Sequence, residues 1–404
     1  ALAQQHQAVN LGQGFPDFDG PAFVRDAVTR AMAEGHNQYP RMFGVPRLNR
    51  AIAEQFSRRS GLAIDPDREV TVTTGCTEAL CCCFLGLMNP GDEVILFQPF
   101  FDIYRAGVAL AGVTPRFVTL RPPRETDPPG SPFWFDEAEL RAAFTPRTRA
   151  ILVNTPHNPT GKVFTRAELA LISDLCVRHD CVAISDEVYE HLVYDDSVEH
   201  VFLATFPGMR ERTLTLSSIG KTFSYTGWKI GWAIGPADLT AGVRAAHQFV
   251  TFSSTSPMQH AAADALEKGE PDVVALRERL RDSRDALALG LRDAGFRPHH
   301  AASGYFILAQ HDGPGLDLGL GDDRAACRRL PAEAGVAAIP PSAFYEDRAL
   351  GAGMLRFAFC KKRETIDEGV RRLLAWRRRG SAGAADAAPA TSPGQPGSAA
   401  RAGA

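Results

Sequence analysis

The stretch from residue 150 to 190, AILVNTPHNPTGKVFTRAELALISDLCVRHDCVAISDEVYE, holds one complete strand–helix–strand unit. Ala150–Asn154 and Cys181–Ser185 are short, rich in Ile and Val and lack strict alternation, the pattern of strands covered on both faces. Between them Thr165 is followed three residues later by Glu168, a capping box, and apolar spacing carries a helix to about His179. Such a unit closes through a right-handed crossover, which makes its two strands parallel. Moving outward, Glu69–Thr74 (EVTVTT), Glu93–Phe97 (EVILF) and Thr213–Ser217 (TLTLS) read as further buried strands, with helical patterns in the gaps. The expected class is α/β, with a mostly parallel central sheet flanked by helices. Beyond Glu270, Leu276–Ala294 reads as a long amphipathic helix. Short strands near Tyr305–Ala309 and Met354–Phe359 and a last helix, Glu364–Trp376, complete a smaller α+β domain. We therefore expect a large domain over residues 36–275 and a small one formed by 1–35 with 276–376. Residues 377–404 open on a run of three arginines and continue almost entirely in Ala, Gly, Pro and Ser. Such a segment has little to bury against its ordering entropy, so it is expected to be disordered. Arg121–Phe133, with five prolines, and Gly313–Gly321 are expected to be loops.

Composition narrows the function. The 404 residues are 45% hydrophobic and 23% charged, an ordinary globular mixture. A net charge of −3 argues against a nucleic-acid-coating protein. The longest near-apolar run, Ala79–Met88, has about half the length needed to cross a bilayer. The eight cysteines include no CxxC pair, and three are adjacent, so they suit neither a zinc cage nor a disulfide framework. No metal is expected. The chain starts at Ala1 and shows no cleavable-signal pattern, so we expect a cytoplasmic protein whose natural N-terminus is missing.

In open parallel α/β sheets, ligands bind beyond the carboxyl ends of the strands. Gly75–Cys76–Thr77 follows the first predicted strand and precedes a helix, a turn that presents amide donors to a phosphate. Phe100 and Phe101 follow the second strand, Asn158 the third, Asp186 and Tyr189 the fourth, and Ser218, Lys221 and then Lys229 the fifth. Five strand ends thus gather a phosphate cradle, a flat aromatic, an amide, a carboxylate, a phenol and an amine. The set suits an anionic, planar, nitrogen-containing cofactor held through a lysine, and pyridoxal phosphate fits each part. Singly, these residues read more blandly: Asp186 as a helix cap, Asn158 as a turn residue, Arg356 as a strand-edge ion pair. Gly220–Lys221–Thr222 is no P-loop, because Thr215 occupies the position of the required first glycine. The sequence has no HExxH and no GxSxG, and His157, His247 and His260 read as structural or as supports standing behind site residues.

Six strings carry a specific resemblance: NLGQGFPDF (10–18), NQYPRMFG (37–44), NTPHNPTGK (154–162), SDEVYEHLVY (185–194), SSIGKTFSYTGWKIGW (217–232) and LRFAFCKK (355–362). In this order, over roughly residues 9–376, the chain resembles the class I/II aminotransferases, nearest to the kynurenine aminotransferase and glutamine transaminase K group. The resemblance implies the pyridoxal-phosphate-dependent transferase fold of type I, with pyridoxal 5′-phosphate bound in the large domain. By position, Lys221 resembles the lysine bonded to the cofactor and Asp186 the partner of its ring nitrogen. Asn158 and Tyr189 resemble the pair on its phenolate oxygen, and Phe101 the stacking aromatic. Gly75, Cys76, Thr77, Ser218 and Lys229 match the phosphate site, and Tyr39 matches a tyrosine that reaches the phosphate of a second subunit, implying a homodimer with shared active sites. Arg356 resembles the clamp on the substrate α-carboxylate, with Asn158 and the Gly14 backbone beside it. Phe252, Tyr305 and Phe344 match aromatic walls. Thr77 and Ser253 depart from the aromatic and the histidine of the animal enzymes. The implied activity is a ping-pong transfer of an amino group from a neutral, bulky amino acid (kynurenine, aromatic, methionine or glutamine type) to a 2-oxo acid. Alternatives are an N-succinyldiaminopimelate or methionine aminotransferase, or a cysteine-conjugate C–S β-lyase. Arg41, Arg105 and Arg244 take no role from the resemblance; if any reached the pocket it would favour a diacid or succinylated substrate.

Overall fold

Four of the central strands, Glu93–Gln98, Thr148–Asn154, Val182–Asp186 and Ile230–Ile234, carry apolar residues at odd and even positions alike, so they bury both faces, and a sheet built around them must be covered on both sides. The computed structural model describes residues 2–386 and shows this arrangement. A two-residue strand near the start, β1 (Val9–Asn10), belongs to the smaller part of the molecule. The central sheet follows: β2 (Val70–Thr74), β3 (Glu93–Gln98), β4 (Thr114–Thr119), β5 (Thr148–Asn154), β6 (Val182–Asp186), β7 (Thr213–Ser218) and β8 (Ile230–Ile234), ordered β2-β8-β7-β6-β5-β3-β4. The run β7-β6-β5-β3-β4 is parallel, and β8 lies antiparallel to both its neighbours. Ile95, Ile151, Val153 and Ala183 pack one face of the sheet against helix Arg166–Arg178. Val94, Leu96, Leu152, Ile184 and Leu216 pack the other against helix Gly75–Leu87. Each such Val, Leu or Ile side chain contributes about 1.5–3 kcal/mol by its burial.

Five strands match the sequence reading to within a few residues. The two it did not find are informative. β4 is an edge strand, half exposed and carrying Pro115, which an edge tolerates because it lacks a second partner. β8 lies inside the string read for its lysines, just after Lys229. The capping box at Thr165 is present, with Thr165 N–H donating to Glu168 Oε2 at 2.8 Å and Glu168 N–H to Thr165 Oγ1 at 3.2 Å.

The smaller part contains β9 (Arg297–Pro298), β10 (Phe306–Gln310), a hairpin of β11 (Asp312–Gly313) and β12 (Leu316–Asp317), β13 (Val336–Ala337) and β14 (Met354–Ala358). β14, β10 and β9 form an antiparallel sheet, and β1 pairs in parallel with β13. The N-terminal strap is pinned further along. Lys361 Nζ donates to the Phe15 carbonyl at 2.6 Å, and Asp17 accepts from Lys362 N–H and Thr365 Oγ1, both at 2.6 Å. Val9, Leu11 and Phe18 pack with the β10–β14 core, whereas Val24 and Ala27 of helix Ala22–Ala33 pack with helix Ser256–Lys268. The last helix, expected to stop at Trp376, runs from Arg363 to Asp386. Residues 377–386 of the segment expected to be disordered are therefore helical, and Arg379 Nη2 donates to the Glu333 carbonyl at 3.0 Å. The rest of that segment lies outside the described residues. No helix among the described residues is long and apolar enough to cross a membrane.

Candidate active site

The register of β5 and β6 sets Asn154 beside Asp186 at the carboxyl edge of the sheet. A cavity of about 380 Å³ opens there. It gathers Gly75, Cys76, Thr77, Phe101, Asn158, Asp186, Tyr189, Ser218, Lys221 and Lys229 from the sheet side, Gly14 from the strap and Arg356 from β14. Residues far apart in sequence thus meet as their positions at strand ends predicted.

The turn from Thr74 to Thr77 depends on close backbone approach. Gly75 has φ +73°, and a Cβ there would lie 3.1 Å from Lys229 Cε and 3.2 Å from its Nζ. A Cβ on Gly231 would come within 2.6 Å of the Cys76 backbone nitrogen. Lys229 Nζ in turn hydrogen-bonds Thr77 Oγ1 at 3.1 Å. Amides, a hydroxyl and an ammonium therefore converge at the start of helix Gly75–Leu87, where the helix dipole also favours an anion.

Asp186 ends β6 and is buried. Burial lifts its pKa to about 6 against the pull of a 2.7 Å hydrogen bond from the Tyr104 hydroxyl. Burial likewise lowers the Lys221 amine below the ordinary lysine value. Lys221 Nζ reaches the Gly14 carbonyl at 3.5 Å and lies 5.7 Å and 5.3 Å from the ring centres of Tyr189 and Tyr305. Arg356 is buried, its guanidinium 4.0 Å from the Phe306 ring centre and 5.0 Å from that of Phe344. Its Nη2 donates to the Gly12 carbonyl at 3.3 Å, and burial drops its pKa to about 10.

Three predicted wall residues stand elsewhere than on the cavity lining. Tyr305 is fully buried behind Lys221 and donates its hydroxyl to the Lys221 carbonyl at 2.9 Å, and Phe344 stacks behind Arg356. Phe252 lies outside, half exposed, edge-on to Tyr39 at 5.7 Å. Tyr39 itself is 85% exposed and does not line this cavity. The unplaced arginines are engaged elsewhere. Arg41 and Arg244 lie over Phe43 at 3.9 and 3.8 Å, Arg41 also pairs with Asp67 at 2.6 Å, and Arg105 pairs with Glu346 at 2.6 Å.

Sequence reasoning missed three supports. Tyr104, one turn beyond Phe101, holds Asp186. Asn154 links the Asp186 carbonyl (2.9 Å) to the Asn158 N–H (2.8 Å); its place as the last residue of a strand was the available signal. Phe306 carries Arg356 and explains Gly14, where a Cβ would fall 2.1 Å from the Phe306 ring.

The donor set fits pyridoxal 5′-phosphate. Asn158 Oδ1 and Arg356 Nε are buried without protein partners and await polar atoms of a ligand. A raised carboxylate and a lowered amine line one cavity together with the Phe101 ring.

Comparison with known proteins agrees. The family model of aminotransferases of class I and II matches residues 6–373. The solved structure of N-succinyldiaminopimelate aminotransferase from Mycobacterium tuberculosis is 48% identical, covers 93% of this chain and 95% of its own, and superposes with a TM-score of 0.87. Kynurenine–oxoglutarate transaminase 3 of Mus musculus is 40% identical over 93% of this chain and 86% of its own length. The methionine aminotransferase of Escherichia coli is 39% identical over 92% and 93%.

Proposed function

The chain belongs to the class I and II aminotransferases, and from that premise we propose that it transfers an amino group from a neutral, bulky amino acid to a 2-oxo acid in a ping-pong cycle. Pyridoxal 5′-phosphate is the cofactor of this family and of this chain. When bound, it supplies the electron sink that lets a substrate α-proton leave. Gly75, Cys76 and Thr77 with Ser218 and Lys229 would hold its phosphate, Asp186 its ring nitrogen, Asn158 and Tyr189 its phenolate oxygen, and Phe101 its face. Lys221 takes the α-proton at Nζ and returns it, a role suited to an amine that burial keeps easier to deprotonate than a surface lysine. Arg356 orients the substrate by gripping its α-carboxylate with a planar fork, stiffened between Phe306 and Phe344.

The observation that carries the donor class is the inventory of charge. The cavity's cations are Lys221, Lys229 and Arg356, each with a role already, and Arg41, Arg105 and Arg244 are held away. A side-chain carboxylate would enter unpaired, at a cost of several kcal/mol as an order of magnitude. Neutral donors such as kynurenine, phenylalanine, methionine and glutamine should therefore exceed aspartate by at least roughly tenfold in kcat/KM, or about 1.4 kcal/mol. A second reading, N-succinyldiaminopimelate as substrate, is favoured by the 48% identity to the mycobacterial enzyme named for it. It requires cations from outside this cavity to meet the distal carboxylates. A half-reaction panel of these donors with and without N-succinyldiaminopimelate separates the two; preference for that compound over every neutral donor selects the second.

The assembly we propose is a cytoplasmic homodimer with shared active sites. Tyr39, Phe252 and Phe249 (86% exposed) form an aromatic surface at the end of helix Ala237–Val250, suited to burial against a second copy.

A further inference from the structure

Behind the phosphate turn, Glu78 and His247 are buried against each other, and the mechanism above uses neither. Glu78 lies in the first turn of helix Gly75–Leu87, whose start has no side-chain cap of its own. Its carboxylate instead accepts the Thr74 N–H, at the residue that leads into Gly75. The other carboxylate oxygen faces His247 Nδ1 at 2.5 Å, while His247 Nε2 faces the Met42 carbonyl at 2.9 Å. A carboxylate and a carbonyl only accept, so both ring nitrogens carry protons and the ring is an imidazolium. Burial alone would lower the His247 pKa, but the Glu78 bond and charge and the Met42 carbonyl outweigh it and hold it above the usual value. Glu78 is held low in the same way, against burial, by His247 and the Thr74 N–H. Arg244, one turn earlier on the histidine's own helix, opposes the imidazolium. Cys82 shares the carboxylate at 3.8 Å, but burial first, and then Glu78, push its thiol far up, so it stays S–H. Glu78 and His247 form a charge pair, with the Cys82 thiol beside it.

We propose that the Glu78–His247 pair is a positioning device that fixes the Thr74–Thr77 turn for a phosphate group while cancelling the negative charge that fixing it introduces. The proposal rests on the reading of this turn as the cofactor-phosphate site. A carboxylate in the first helical turn orders the backbone amides but repels a dianion bound just ahead of them; the imidazolium removes that repulsion. Through Met42 the same histidine ties the turn to the segment carrying Tyr39, so one buried ring holds together the chain's own cradle and the residue expected to serve a second copy.

The test measures the affinity of the cofactor-free full-length protein for inorganic phosphate and for pyridoxal 5′-phosphate, alongside its thermal midpoint. His247→Gln leaves Glu78 uncompensated and should weaken both ligands roughly tenfold or more, the scale of one nearby unit charge in a partly buried setting. Glu78→Gln/His247→Gln removes both charges and should recover most of that loss. Equal weakening in the single and double variants, or affinities within about twofold of the unmutated protein, overturns the charge-balance role; a purely structural pair would lower the midpoint and leave phosphate affinity unchanged. If His247→Gln does not fold, Glu78→Asp decides: it keeps the charge pair but draws the carboxylate off the Thr74 N–H, and unchanged phosphate affinity in it refutes the proposal. Lys229→Ala is the reference. If it too leaves phosphate binding intact, the phosphate-site reading itself has failed.

Discussion

Replacing Asp186 with asparagine keeps the shape of the side chain and an oxygen able to accept the Tyr104 hydroxyl, but removes a charge the fold buries at a cost. The carboxyl pKa rises from 3.8 to about 6, chiefly through burial. A group whose folded pKa lies above its unfolded value contributes stability that is fully present below the unfolded pKa and lost as pH climbs through the folded one. For Asp186 that window runs from about 3.8 to about 6. A rise of this size corresponds to roughly 3 kcal/mol, which the cofactor-free protein lacks at pH 7.5. Cofactor-free Asp186→Asn should accordingly be more stable than the unmutated chain at pH 7.5, by up to that order, with the gap closing as pH falls from 6 toward 3.8. The same variant should still bind pyridoxal 5′-phosphate but turn over far more slowly, since a neutral amide does not stabilise a protonated ring nitrogen. Denaturant unfolding of both proteins without cofactor, repeated across this pH range, measures the difference. Parallel stability profiles, or an asparagine variant less stable at pH 7.5, would refute the assignment of strain to Asp186; near-normal turnover would remove its pairing with the ring.

Lys221→Ala should leave no cofactor fixed to the chain after borohydride reduction and cut transamination by several orders of magnitude; cofactor trapped at the unmutated level would move the attachment site elsewhere. Arg356→Lys keeps a charge but loses one of two bonds of the fork, worth about 1.5–3 kcal/mol for a charged pair, so kcat/KM should fall roughly 10- to 150-fold for every amino donor. Its cofactor affinity should stay constant, because Arg356 lies away from the phosphate turn; a matching drop there would contradict the clamp. Mixing Tyr39→Phe with Lys221→Ala protomers should restore more activity than either homodimer retains, because hybrids regenerate one site free of both changes. A fully active monomer by sedimentation would exclude the shared site.

What the sequence disclosed, and what it hid, divides along a physical line. β3, β5 and β6 were legible because a strand buried on both faces can be apolar at every position, β2 and β7 because Val or Leu alternates with Thr there, and the site residues because an open α/β sheet delivers its chemistry at strand ends. Helix Arg166–Arg178 was legible because its capping box is local. β4 and β8 were not, since an edge strand with Pro115 lacks the apolar run and β8 begins within a string dominated by turn residues and lysines. Tyr104, Asn154 and Phe306 were missed for a different reason. Each acts on a neighbour in space, through one hydrogen bond or one stacked ring, and nothing in their own flanks records that contact. The wall assignments of Phe252, Tyr305 and Phe344 came from resemblance alone. The structure sets two of them behind the groups they support and one at the surface.

Two buried carboxylates, Glu93 and Glu78, show how a charge that serves the fold is met. Glu93 is buried and fully met: Arg116 first, then Thr145 and Arg147, bring it down to about 2 despite burial. Glu78 and His247 likewise hold each other in their charged forms. In the cavity the sense reverses. Asp186 is pushed up, Lys221 and Arg356 are pushed down, and in each case burial is the largest cause, pressing toward the neutral form. Asn158 Oδ1 and Arg356 Nε lie among them unpartnered. A carboxylate, an amine and a guanidinium that burial presses toward neutrality around one cavity, with unpartnered polar atoms among them, hold places for a ligand's charges. The complement of that set is a cation beside Asp186, an aldehyde carbon for Lys221, a carboxylate for Arg356 and a phosphate at Gly75–Thr77. Pyridoxal 5′-phosphate with an α-amino acid supplies all four. Because Asp186 is strained without its cationic partner, bringing that partner in should lower the carboxyl back toward its ordinary range and return the stability that the cofactor-free protein forgoes.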